Sequence, residues 1–332
     1  MMTQSLPNSS RMETIVTVTP NPAIDICTAV EEIAPIRKLR CTAAQHDAGG
    51  GGINVARVVR RLGSEVAAVY PAGGASGQRL RGLVEREGVR SLAIVIAEET
   101  REDFTVLERK SGNQYRFVLP GAPLAEPEWR ACLHALQTWD DLPPFVVGSG
   151  SLPPGVPDDF YAQVARIAKA RGSKVIVDTS GKPLAAALQE GVYLVKPNLR
   201  ELQEFVGLPL ADKDARLSAC RRLIDTGRAE VVALTLAEKG ALLVTQDAAH
   251  FSRTPDIRPV STVGAGDSFV GGMVWSLAAG GSVVDAFRYG VAAGSAAVLS
   301  PGTELCHAPD VARLYESIEL VRIQCNSAQF HR

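Results

Sequence analysis

Short runs of β-branched and other apolar residues alternate with longer amphipathic stretches along most of the chain. Runs such as Val175-Ile-Val177 are apolar on both sides, which is typical of a central strand in a parallel sheet. The pattern predicts strands at residues 14–19, 66–70, 92–96, 145–148, 174–178, 193–196, 231–234 and 241–245. It predicts helices at residues 53–62, 77–87, 126–139, 158–170, 199–205, 213–226, 267–278, 283–299 and 309–323. This alternation predicts an α/β fold with a mostly parallel central sheet covered by helices on both faces.

Two regions, residues 24–45 and 101–119, break this alternation. Both have the pattern of strands with polar residues on one side, and Ser111-Gly-Asn113 is a hairpin turn signal between two of these strands. We therefore expect a small antiparallel sheet that projects from the main domain. A sheet of that size needs a cover for its apolar face, such as a bound substrate or a second subunit.

The composition narrows the functions that the chain can have. It has 332 residues with 35 basic and 36 acidic side chains, a net charge of −1. Hydrophobic residues make up 46% and charged residues 21%, a balance that excludes a disordered chain. Because no cationic excess exists to displace counterions, a nucleic-acid partner is not expected. The six cysteines are scattered, with no pair at metal-ligand spacing, which is typical of reduced thiols in a cytoplasmic protein.

Two segments bear on targeting and membranes. Residues 1–12 lack the basic and apolar blocks of a signal peptide, and we expect a disordered tail ahead of one domain over residues 13–325. The uncharged stretch at residues 268–284 contains four glycines and several polar residues, so it predicts a buried core helix rather than a membrane span. The sequence therefore predicts a soluble cytoplasmic protein without a membrane partner.

Four consecutive glycines, Gly49 to Gly52, lead into a predicted helix that carries Asn54 in its first turn. Glycine lets a backbone approach a ligand closely and adopt positive φ without steric cost. The Asn54 carboxamide can both donate to and accept from a hydroxyl. A flexible loop with a capping asparagine is the alternative. The position of the run directly before an amphipathic helix favours a cradle for a small polar ligand.

The segment Ser261-Thr-Val-Gly-Ala-Gly-Asp267 opens another predicted helix. The free N–H groups and positive dipole end of a helix start bind anions, and Gly264 and Gly266 let a phosphate come close to the main chain. Asp267 is a simple capping residue in the alternative interpretation. Beside an anion site, a carboxylate is better placed as the base that accepts a hydroxyl proton during phosphoryl transfer, where a weak base suffices.

The segment Lys196-Pro-Asn198-Leu-Arg-Glu201 lies where a predicted strand turns into a helix. Asn198 and Glu201 are three residues apart and share one helix face. Oxygen ligands there suit a Mg²⁺ ion that keeps most of its waters and is shared with phosphates. The alternative is an ordinary capping box, which this spacing also fits.

The chain contains no G-x-x-x-x-G-K-[ST] motif, so a nucleotide would be held without a P-loop. No G-x-G-x-x-G follows the first strand, which weakens a nicotinamide dehydrogenase as an interpretation. Asp25 follows the first strand and either binds sugar hydroxyls or initiates a turn. Cations for a phosphorylated substrate are available in the predicted small sheet, where solvent-facing side chains are the alternative: Lys38, Arg40, Arg101 and Arg116.

Taken together, the motifs at residues 21–25, 49–54, 148–155, 196–201 and 261–267 resemble those of the PfkB branch of the ribokinase-like sugar kinases. They occur in the family's order, and the resemblance runs from about Ile15 to about Tyr315. Residues 38–42, the glycine run and residues 115–121 most resemble the bacterial minor 6-phosphofructokinases. The resemblance implies a ribokinase-like three-layer α/β/α domain. It also implies a small antiparallel β lid, from about residues 24–46 and 100–120, through which a homodimer forms.

The resemblance implies an ATP- and Mg²⁺-dependent kinase that phosphorylates the 1-hydroxyl of fructose 6-phosphate, a reaction of glycolysis. Asp267 matches the family's proton acceptor, and Gly264, Ala265 and Gly266 match its anion hole. Positions that match sugar-phosphate contacts are Asp25, Lys38, Gly50, Gly51, Asn54, Arg101 and Ser151. Positions that match the nucleotide site are Lys196, Asn198, Thr235, Ala237, Gly240, Thr262 and Ser295, with Glu201 and Asn198 at the Mg²⁺ site. Family members often hold K⁺ at positions that correspond to Ser261, Val263, Ala297 and Gly302.

Two segments depart from the family pattern. Ala237 stands where the nucleotide-site segment usually has glycine, and its Cβ either narrows the purine pocket or shifts the loop. Residues 300–304 differ from the corresponding segment of the most similar family members. A change of side chain leaves the main-chain carbonyl oxygens in place, so these segments are still a candidate K⁺ site.

Other functions fit parts of the pattern. The same chemistry on fructose 1-phosphate or tagatose 6-phosphate is the nearest alternative. A sugar-phosphate sensor without turnover is an alternative of a different class, and the intact Asp267 with its two glycines favours an enzyme over it. A dehydrogenase is the most distant interpretation.

Overall fold

The computed structural model describes residues 14–323, and the tail predicted at residues 1–12 lies outside them. Within this part of the chain the strands are β1 (Ile15–Val18), β2 (Ala23–Val30), β3 (Gln45–Gly49), β4 (Val66–Ala72), β5 (Arg90–Val95), β6 (Arg101–Glu108), β7 (Gln114–Phe117), β8 (Phe145–Ser149), β9 (Lys174–Asp178), β10 (Val192–Val195), β11 (Ala229–Thr235), β12 (Ala241–Thr245), β13 (Ala249–Ser252) and β14 (Val321–Ile323). One sheet has the order β14-β13-β12-β11-β10-β9-β8-β1-β4-β5. Its strands from β11 to β5 pair in parallel, and β12, β13 and β14 extend it antiparallel at one edge.

Helices cover both faces of this sheet. In chain order they are α1 (Gly51–Arg61), α2 (Gly74–Arg86), α3 (Glu126–Gln137), α4 (Phe160–Ala170), α5 (Gly181–Glu190), α6 (Leu199–Val206), α7 (Lys213–Asp225), α8 (Ala265–Ala278), α9 (Val283–Ala297) and α10 (Ala308–Ser317). The helices α1, α2, α8, α9 and α10 share one apolar core, and α3 to α7 share the other. Successive residues of β1, Ile15 and Val16, enter different cores, because side chains alternate across a strand. The three-layer α/β/α prediction is confirmed.

A second, small sheet has the order β3-β2-β6-β7. The outer pairs, β2 with β3 and β6 with β7, are antiparallel as predicted, whereas the central pair of β2 and β6 is parallel. This pair is parallel because the chain crosses the main domain between the two strands and returns in the same direction. Residues 31–44, which the sequence pattern assigned to strands, form a loop between β2 and β3.

The uncharged stretch at residues 268–284 spans two helices rather than one. The helix α8 ends at Ala278, and Gly280 has a φ of 85°, which breaks the helix before α9 begins at Val283. Both helices contribute to the same core. None of the helices between residues 14 and 323 has both the length and the apolar character that a membrane span requires.

The sequence prediction was wrong at the C-terminal end of the domain. The helix predicted at residues 309–323 ends at Ser317, because Ile318 adopts an extended backbone with φ −80° and ψ 122°. The chain then forms β14, which pairs with β13. Neither of these short strands was predicted, nor was α5, which begins with Gly181-Lys-Pro183. Proline and glycine suggest a turn by composition, but the first turn of a helix accepts both.

The parallel strands bring distant polar residues to one edge of the main sheet. Because parallel strands run in the same direction, their carboxyl ends meet at that edge, where ligands bind in open α/β sheets. Asn21 follows β1, Ser149 ends β8, Asp178 ends β9, Lys196 follows β10 and Thr235 ends β11. We therefore look for the site along this edge.

Candidate active site

The start of α8 forms the floor of the site. Gly264 precedes the helix with a φ of 74°, in the left-handed region that favours glycine. Ala265 and Gly266 form the first positions, and no side chain caps their N–H groups. Asp267 lies in this first turn. The helix start therefore combines free main-chain donors with a carboxylate.

The Asp267 carboxylate is half-buried at the start of α8. Its Oδ2 accepts a hydrogen bond of 2.8 Å from Asn54 Nδ2, which joins α8 to α1. Burial and the charge of Asp178 raise the pKa of Asp267 to about 6. The Asn54 hydrogen bond and the cations Lys196 and Arg116 act in the opposite direction. Asp267 is therefore mostly ionised at neutral pH and still more basic than an exposed aspartate.

Lys196 places a buried cation beside the helix start. Its Nζ lies 3.1 Å from Asp178 Oδ1. Burial by itself lowers the pKa of Lys196, but the charges of Asp178 and Glu201 outweigh it and raise that pKa above the usual value. A Cβ on Gly266 would come within 3.4 Å of Lys196 Nζ, so glycine keeps the main chain of α8 close to the ammonium group. The ammonium group and the N–H groups of the helix start are therefore neighbours, a combination of donors that suits a phosphate.

The glycine run before α1 packs tightly rather than forming a loose loop. Gly50 has a φ of 103°, which side chains rarely adopt. A Cβ on Gly51 would overlap the Ser149 hydroxyl at the end of β8, and a Cβ on Gly49 would overlap the Asp25 carboxyl. This packing fits a rigid cradle, because glycine lets the run lie directly against Asp25 and Ser149, where a side chain would find no room.

Three aspartates lie side by side across the small sheet. Asp25 of β2 pairs with Asp47 of β3 on one side and with Asp103 of β6 on the other. Burial and the charge of Asp103 raise the pKa of Asp25 to about 7, although Arg57 and Arg116 act to lower it. Near neutral pH the Asp25 carboxyl is therefore shared between its protonated and ionised forms. In this state it can donate to or accept from a sugar hydroxyl.

Sequence reasoning missed two side chains of this site, Arg57 and Asp178. Arg57 of α1 is fully buried, and its guanidinium lies 3.3 Å from Asn54 Oδ1. The available signal was the spacing of three between Asn54 and Arg57, which places both on one face of α1. The signal for Asp178 was its position at the carboxyl end of a predicted strand.

Arg101 and Ser151, which the sequence analysis assigned to the sugar-phosphate side, both lie close to Asn21, beside the cradle. Ser151 Oγ accepts a hydrogen bond of 3.1 Å from Asn21 Nδ2. Arg101 donates to the carbonyl oxygens of Asn21 at 3.0 Å and Leu119 at 2.5 Å, and its Nη1 lies 3.4 Å from Asp103 Oδ2. These residues line an open depression of about 530 Å³. Arg101 therefore also holds the two loops that border the depression.

The remaining predicted cations differ in position. Lys38 and Arg40 are exposed in the loop of residues 31–44 and make no hydrogen bond or ion pair within residues 14–323. Arg116 of β7 pairs with Thr105, which pairs with Cys27, two residues from Asp25. Because alternate residues of a strand share a face, Arg116 is on the same sheet face as Asp25. Its charge acts on both Asp25 and Asp267.

Asn198 and Glu201 form the capping box that the sequence analysis kept as an alternative. Glu201 Oε2 accepts a hydrogen bond of 2.8 Å from the Asn198 main-chain N–H, and Asn198 Oδ1 accepts one of 2.9 Å from the Glu201 N–H. Burial raises the pKa of Glu201, although the Asn198 N–H and Lys196 act to lower it. One carboxylate oxygen of Glu201 remains available to a water or a metal ion. Within the described residues, no group of three or more His, Cys, Asp and Glu side chains is arranged to hold a metal.

The positions predicted for the nucleotide lie along β11 and the turn that follows it. Thr235 forms an isolated parallel β-bridge with Asn198, and the Thr235 N–H donates to the Pro197 carbonyl oxygen at 3.0 Å. Ala237 is exposed and has a φ of 53°. The turn thus keeps a left-handed conformation that costs a non-glycine residue about 1–2 kcal/mol. Gly240 has a φ of 112°, and a Cβ there would overlap the Ser252 carbonyl oxygen. Ser295 is buried in α9 and Thr262 is exposed before α8.

The two segments predicted to hold K⁺ are in contact. Ser261 Oγ donates to the Gly302 carbonyl oxygen at 3.0 Å, and the Val263 N–H donates to Ser261 Oγ at 3.3 Å. The Ala297 carbonyl oxygen accepts a hydrogen bond of 3.1 Å from the Ser300 N–H. The Ser261 hydroxyl and the Gly302 carbonyl oxygen thus lie together there, and both are the kind of ligand that a hard cation prefers.

The comparisons with known proteins agree with this geometry. The profile of the pfkB family carbohydrate kinases matches residues 18–310, and the chain belongs to this family. The ATP-dependent 6-phosphofructokinase isozyme 2 of Mycobacterium tuberculosis is 47% identical over 91% of this chain and 89% of that protein. The crystal structure of phosphofructokinase-2 from Escherichia coli with potassium has a TM-score of 0.88 at 41% identity, over 92% of this chain and 99% of that one. The same Escherichia coli protein with fructose-6-phosphate has a TM-score of 0.87 at 40% identity, over 92% and 99%.

The family resemblance seen in the sequence, the ribokinase-like fold class and the kinase chemistry are therefore confirmed. The chain is a carbohydrate kinase, an enzyme that transfers a phosphoryl group to a hydroxyl.

The raised pKa of Asp25 predicts that this carboxyl weakens the fold. Since the folded protein binds the Asp25 proton up to about pH 7 and an unfolded aspartate only up to about 3.8, stability falls as pH rises between these values. We expect Asp25→Asn to increase the free energy of unfolding above pH 7 by about 2 kcal/mol, a value discounted for solvent access. This difference in the free energy of unfolding should shrink as pH falls toward 4. Denaturant titrations of both proteins at several pH values measure it.

Asp47→Asn is the matched control for this prediction. Asp47 is the neighbour of Asp25 in the sheet, but it is paired with Arg57 at 3.5 Å and accepts from Thr303 Oγ1 at 2.9 Å. Its neutralisation leaves a buried cation with one partner fewer, so we expect a loss of stability. Equal effects of the two substitutions on the free energy of unfolding at every pH would contradict the prediction that the ionised Asp25 carboxyl destabilises the fold.

Proposed function

We propose that this enzyme transfers the γ-phosphoryl group of ATP to the 1-hydroxyl of fructose 6-phosphate and forms fructose 1,6-bisphosphate. The observation that carries the proposal is the half-buried Asp267 carboxylate, which lies at the uncapped start of α8 and is bonded to Asn54, in the helix that follows the glycine cradle. The names of the similar proteins from Mycobacterium tuberculosis and Escherichia coli support the choice of sugar.

In this proposal, the sugar lies on the backbone of Gly50 and Gly51 with its hydroxyls at Asp25 and Asn54. Its phosphate lies toward Arg101 and Ser151, where the 530 Å³ depression opens. Lys38 closes over the phosphates from the exposed loop between β2 and β3. The depression is large enough for a phosphate, and the tight cradle fits the uncharged face of the sugar.

Asp267 acts as the base. Asn54 occupies its Oδ2, so the other carboxylate oxygen faces the sugar hydroxyl and accepts its proton. Phosphoryl transfer passes through a loose transition state in which the hydroxyl becomes acidic late, and a base with a pKa of about 6 suffices. The N–H groups of Gly264, Ala265 and Gly266 stabilise the charge that develops on the transferred group.

The nucleotide lies along the carboxyl ends of β10 and β11 in this proposal. Lys196 neutralises a phosphate from its buried position beside Gly266. The base and ribose lie against the turn after β11 and the helix α9, at Asn198, Thr235, Ala237, Gly240, Thr262 and Ser295. Ala237 is exposed in its left-handed conformation, so its methyl group is not part of the core.

Two cations fit the oxygen atoms of the site. A Mg²⁺ ion shared between phosphates and waters would draw charge from the transferred group, and the free Glu201 oxygen, beside Asn198, is positioned to hold one of those waters. A K⁺ ion would be held by oxygen atoms of Ser261, Val263, Ala297 and Gly302, directly before the anion-binding start of α8. The Ser261 contact to Gly302 supports this set.

The small sheet is proposed as a lid and as the contact of a homodimer. One face of the sheet carries the exposed apolar side chains of Phe104, Tyr115 and Phe117, and Val118 and Leu119, directly after β7, are also exposed in the single chain. Phe104 and Phe117 are cross-strand neighbours, so they form one continuous apolar surface that a second subunit would cover. We also propose a cytoplasmic location. The cysteines within residues 14–323 are all free, which fits a reducing compartment.

The choice of sugar is tested by comparing fructose 6-phosphate, fructose 1-phosphate and tagatose 6-phosphate as acceptors in an assay for ADP release. We expect kcat/KM to be at least about tenfold higher for fructose 6-phosphate, since misplaced hydroxyl or phosphate groups leave polar groups of the site unpaired. A higher value for either other sugar would transfer the assignment to that sugar. No ADP release with any of them would favour a sensor.

The role of Asp267 predicts a large loss of turnover in Asp267→Ala. General-base catalysis contributes about 10²–10⁴-fold, so kcat should fall by that factor while the Kd for ATP changes little. Asp285→Ala is the matched control, because Asp285 is the third residue of α9 as Asp267 is of α8, and its cap contact is with Ser282. Near-normal kcat in Asp267→Ala would refute the mechanism.

A further inference from the structure

Arg57 is a fully buried arginine in the middle of α1. Buried arginine is rare, because removing a charge from water is costly unless every donor finds a partner. Two carboxylates balance it: Nε lies 2.9 Å from Glu87 Oε1, and Nη2 lies 3.5 Å from Asp47 Oδ1. The charge is thus held by two segments outside α1, the end of α2 and the strand β3.

The third nitrogen of the guanidinium, Nη1, contacts three oxygen atoms. It donates to the Ala48 carbonyl at 2.7 Å, to Asn54 Oδ1 at 3.3 Å and to the Thr303 carbonyl at 3.4 Å. These atoms belong to the small sheet, to α1 and to the loop before α10. Arg57 therefore joins the small sheet to the part of the main domain that carries Asp267.

The contact with Asn54 decides the orientation of its carboxamide. An arginine can only donate, so the side of the carboxamide that faces Arg57 must be the oxygen. The amide nitrogen then faces the opposite way, where it donates to Asp267 Oδ2 at 2.8 Å. If the carboxamide turned over, its oxygen would face the Asp267 carboxylate, and two acceptors would oppose each other.

We propose that Arg57 is a positioning residue for phosphoryl transfer: it holds the Asn54 carboxamide in the orientation that occupies one oxygen of Asp267 and leaves the other for the sugar hydroxyl. This inference rests on the proposed function. Asp47 and Ala48 belong to β3. The same guanidinium therefore also couples the position of the small sheet to the orientation of the Asp267 carboxylate.

A purely structural clamp would not need the contact with Asn54, and Arg61 provides the comparison. Arg61 lies about one turn further along α1 and shares Glu87, which its Nη2 contacts at 2.7 Å. It also donates to the carbonyl oxygens of Glu304 and Cys306. Arg61 therefore has the same kind of partners as Arg57 but no contact with Asn54.

The test combines Arg57→Lys with Asn54→Ala in a double-mutant cycle, with Arg61→Lys as the matched control. Arg57→Lys keeps the charge that Glu87 and Asp47 require but cannot reproduce the fork of the guanidinium. We expect it to lower kcat about tenfold, the rate equivalent of one hydrogen bond, with KM for ATP within about twofold. In the Asn54→Ala background, the same substitution should change kcat by less than about twofold. Arg61→Lys should lower the melting temperature by about as much as Arg57→Lys does but leave kcat unchanged.

Additive effects of Arg57→Lys and Asn54→Ala on kcat, or equal effects of the Arg57 and Arg61 substitutions, would overturn the proposal. A fourth variant covers the case in which Arg57→Lys does not fold: Asn54→Asp keeps an oxygen for Arg57 but cannot donate to Asp267. We expect it to lose turnover, and a normal kcat would also overturn the proposal. Failure of the proposed function is distinguishable, because the unmodified enzyme would then show no turnover of fructose 6-phosphate.

Discussion

The site depends on keeping the half-buried carboxylate of Asp267 ionised. Burial and Asp178 push the pKa of Asp267 upward, and Asn54 and Lys196 pull it back, so that the value settles at about 6. With less compensation the carboxyl would be protonated at neutral pH and could not accept a proton. With more solvent it would be a weaker base. The anion-binding start of α8 requires the same balance, because an unpaired negative charge there would repel the incoming phosphoryl group.

The fold supplies this balance from segments that are far apart in the chain. The parallel sheet brings Asp178 and Lys196 together from the ends of neighbouring strands, and α1 brings Asn54 to Asp267 from 213 positions away. The small sheet adds Asp25, whose pKa burial and Asp103 raise to about 7. Carboxyls whose pKa is raised in this way reduce the stability of the folded chain at neutral pH. Active sites commonly lose stability where function requires such groups.

Much of this arrangement could be predicted from local sequence. Residues such as Val175-Ile-Val177 identify a central strand by themselves, and the glycines around Asp267 identify an anion-binding helix start. The short strand β14 could not be predicted, because it depends on pairing with β13, which is itself a weak pattern at an edge. Arg57 was missed for a different reason: its spacing from Asn54 indicates a shared helix face, but its burial depends on the partners Glu87 and Asp47, which only the fold brings to it.

The ionisation of Asp267 is tested most directly by the pH dependence of kcat/KM for the unmodified enzyme with fructose 6-phosphate. A base must be deprotonated, so activity should be full above the pKa and fall as pH drops through an acid limb. Because Asp25 and Asp267 interact, the limb reports the pair, and we expect apparent values between about 6 and 7. A profile that stays flat down to about pH 4, the pKa of an exposed aspartate, would contradict the account.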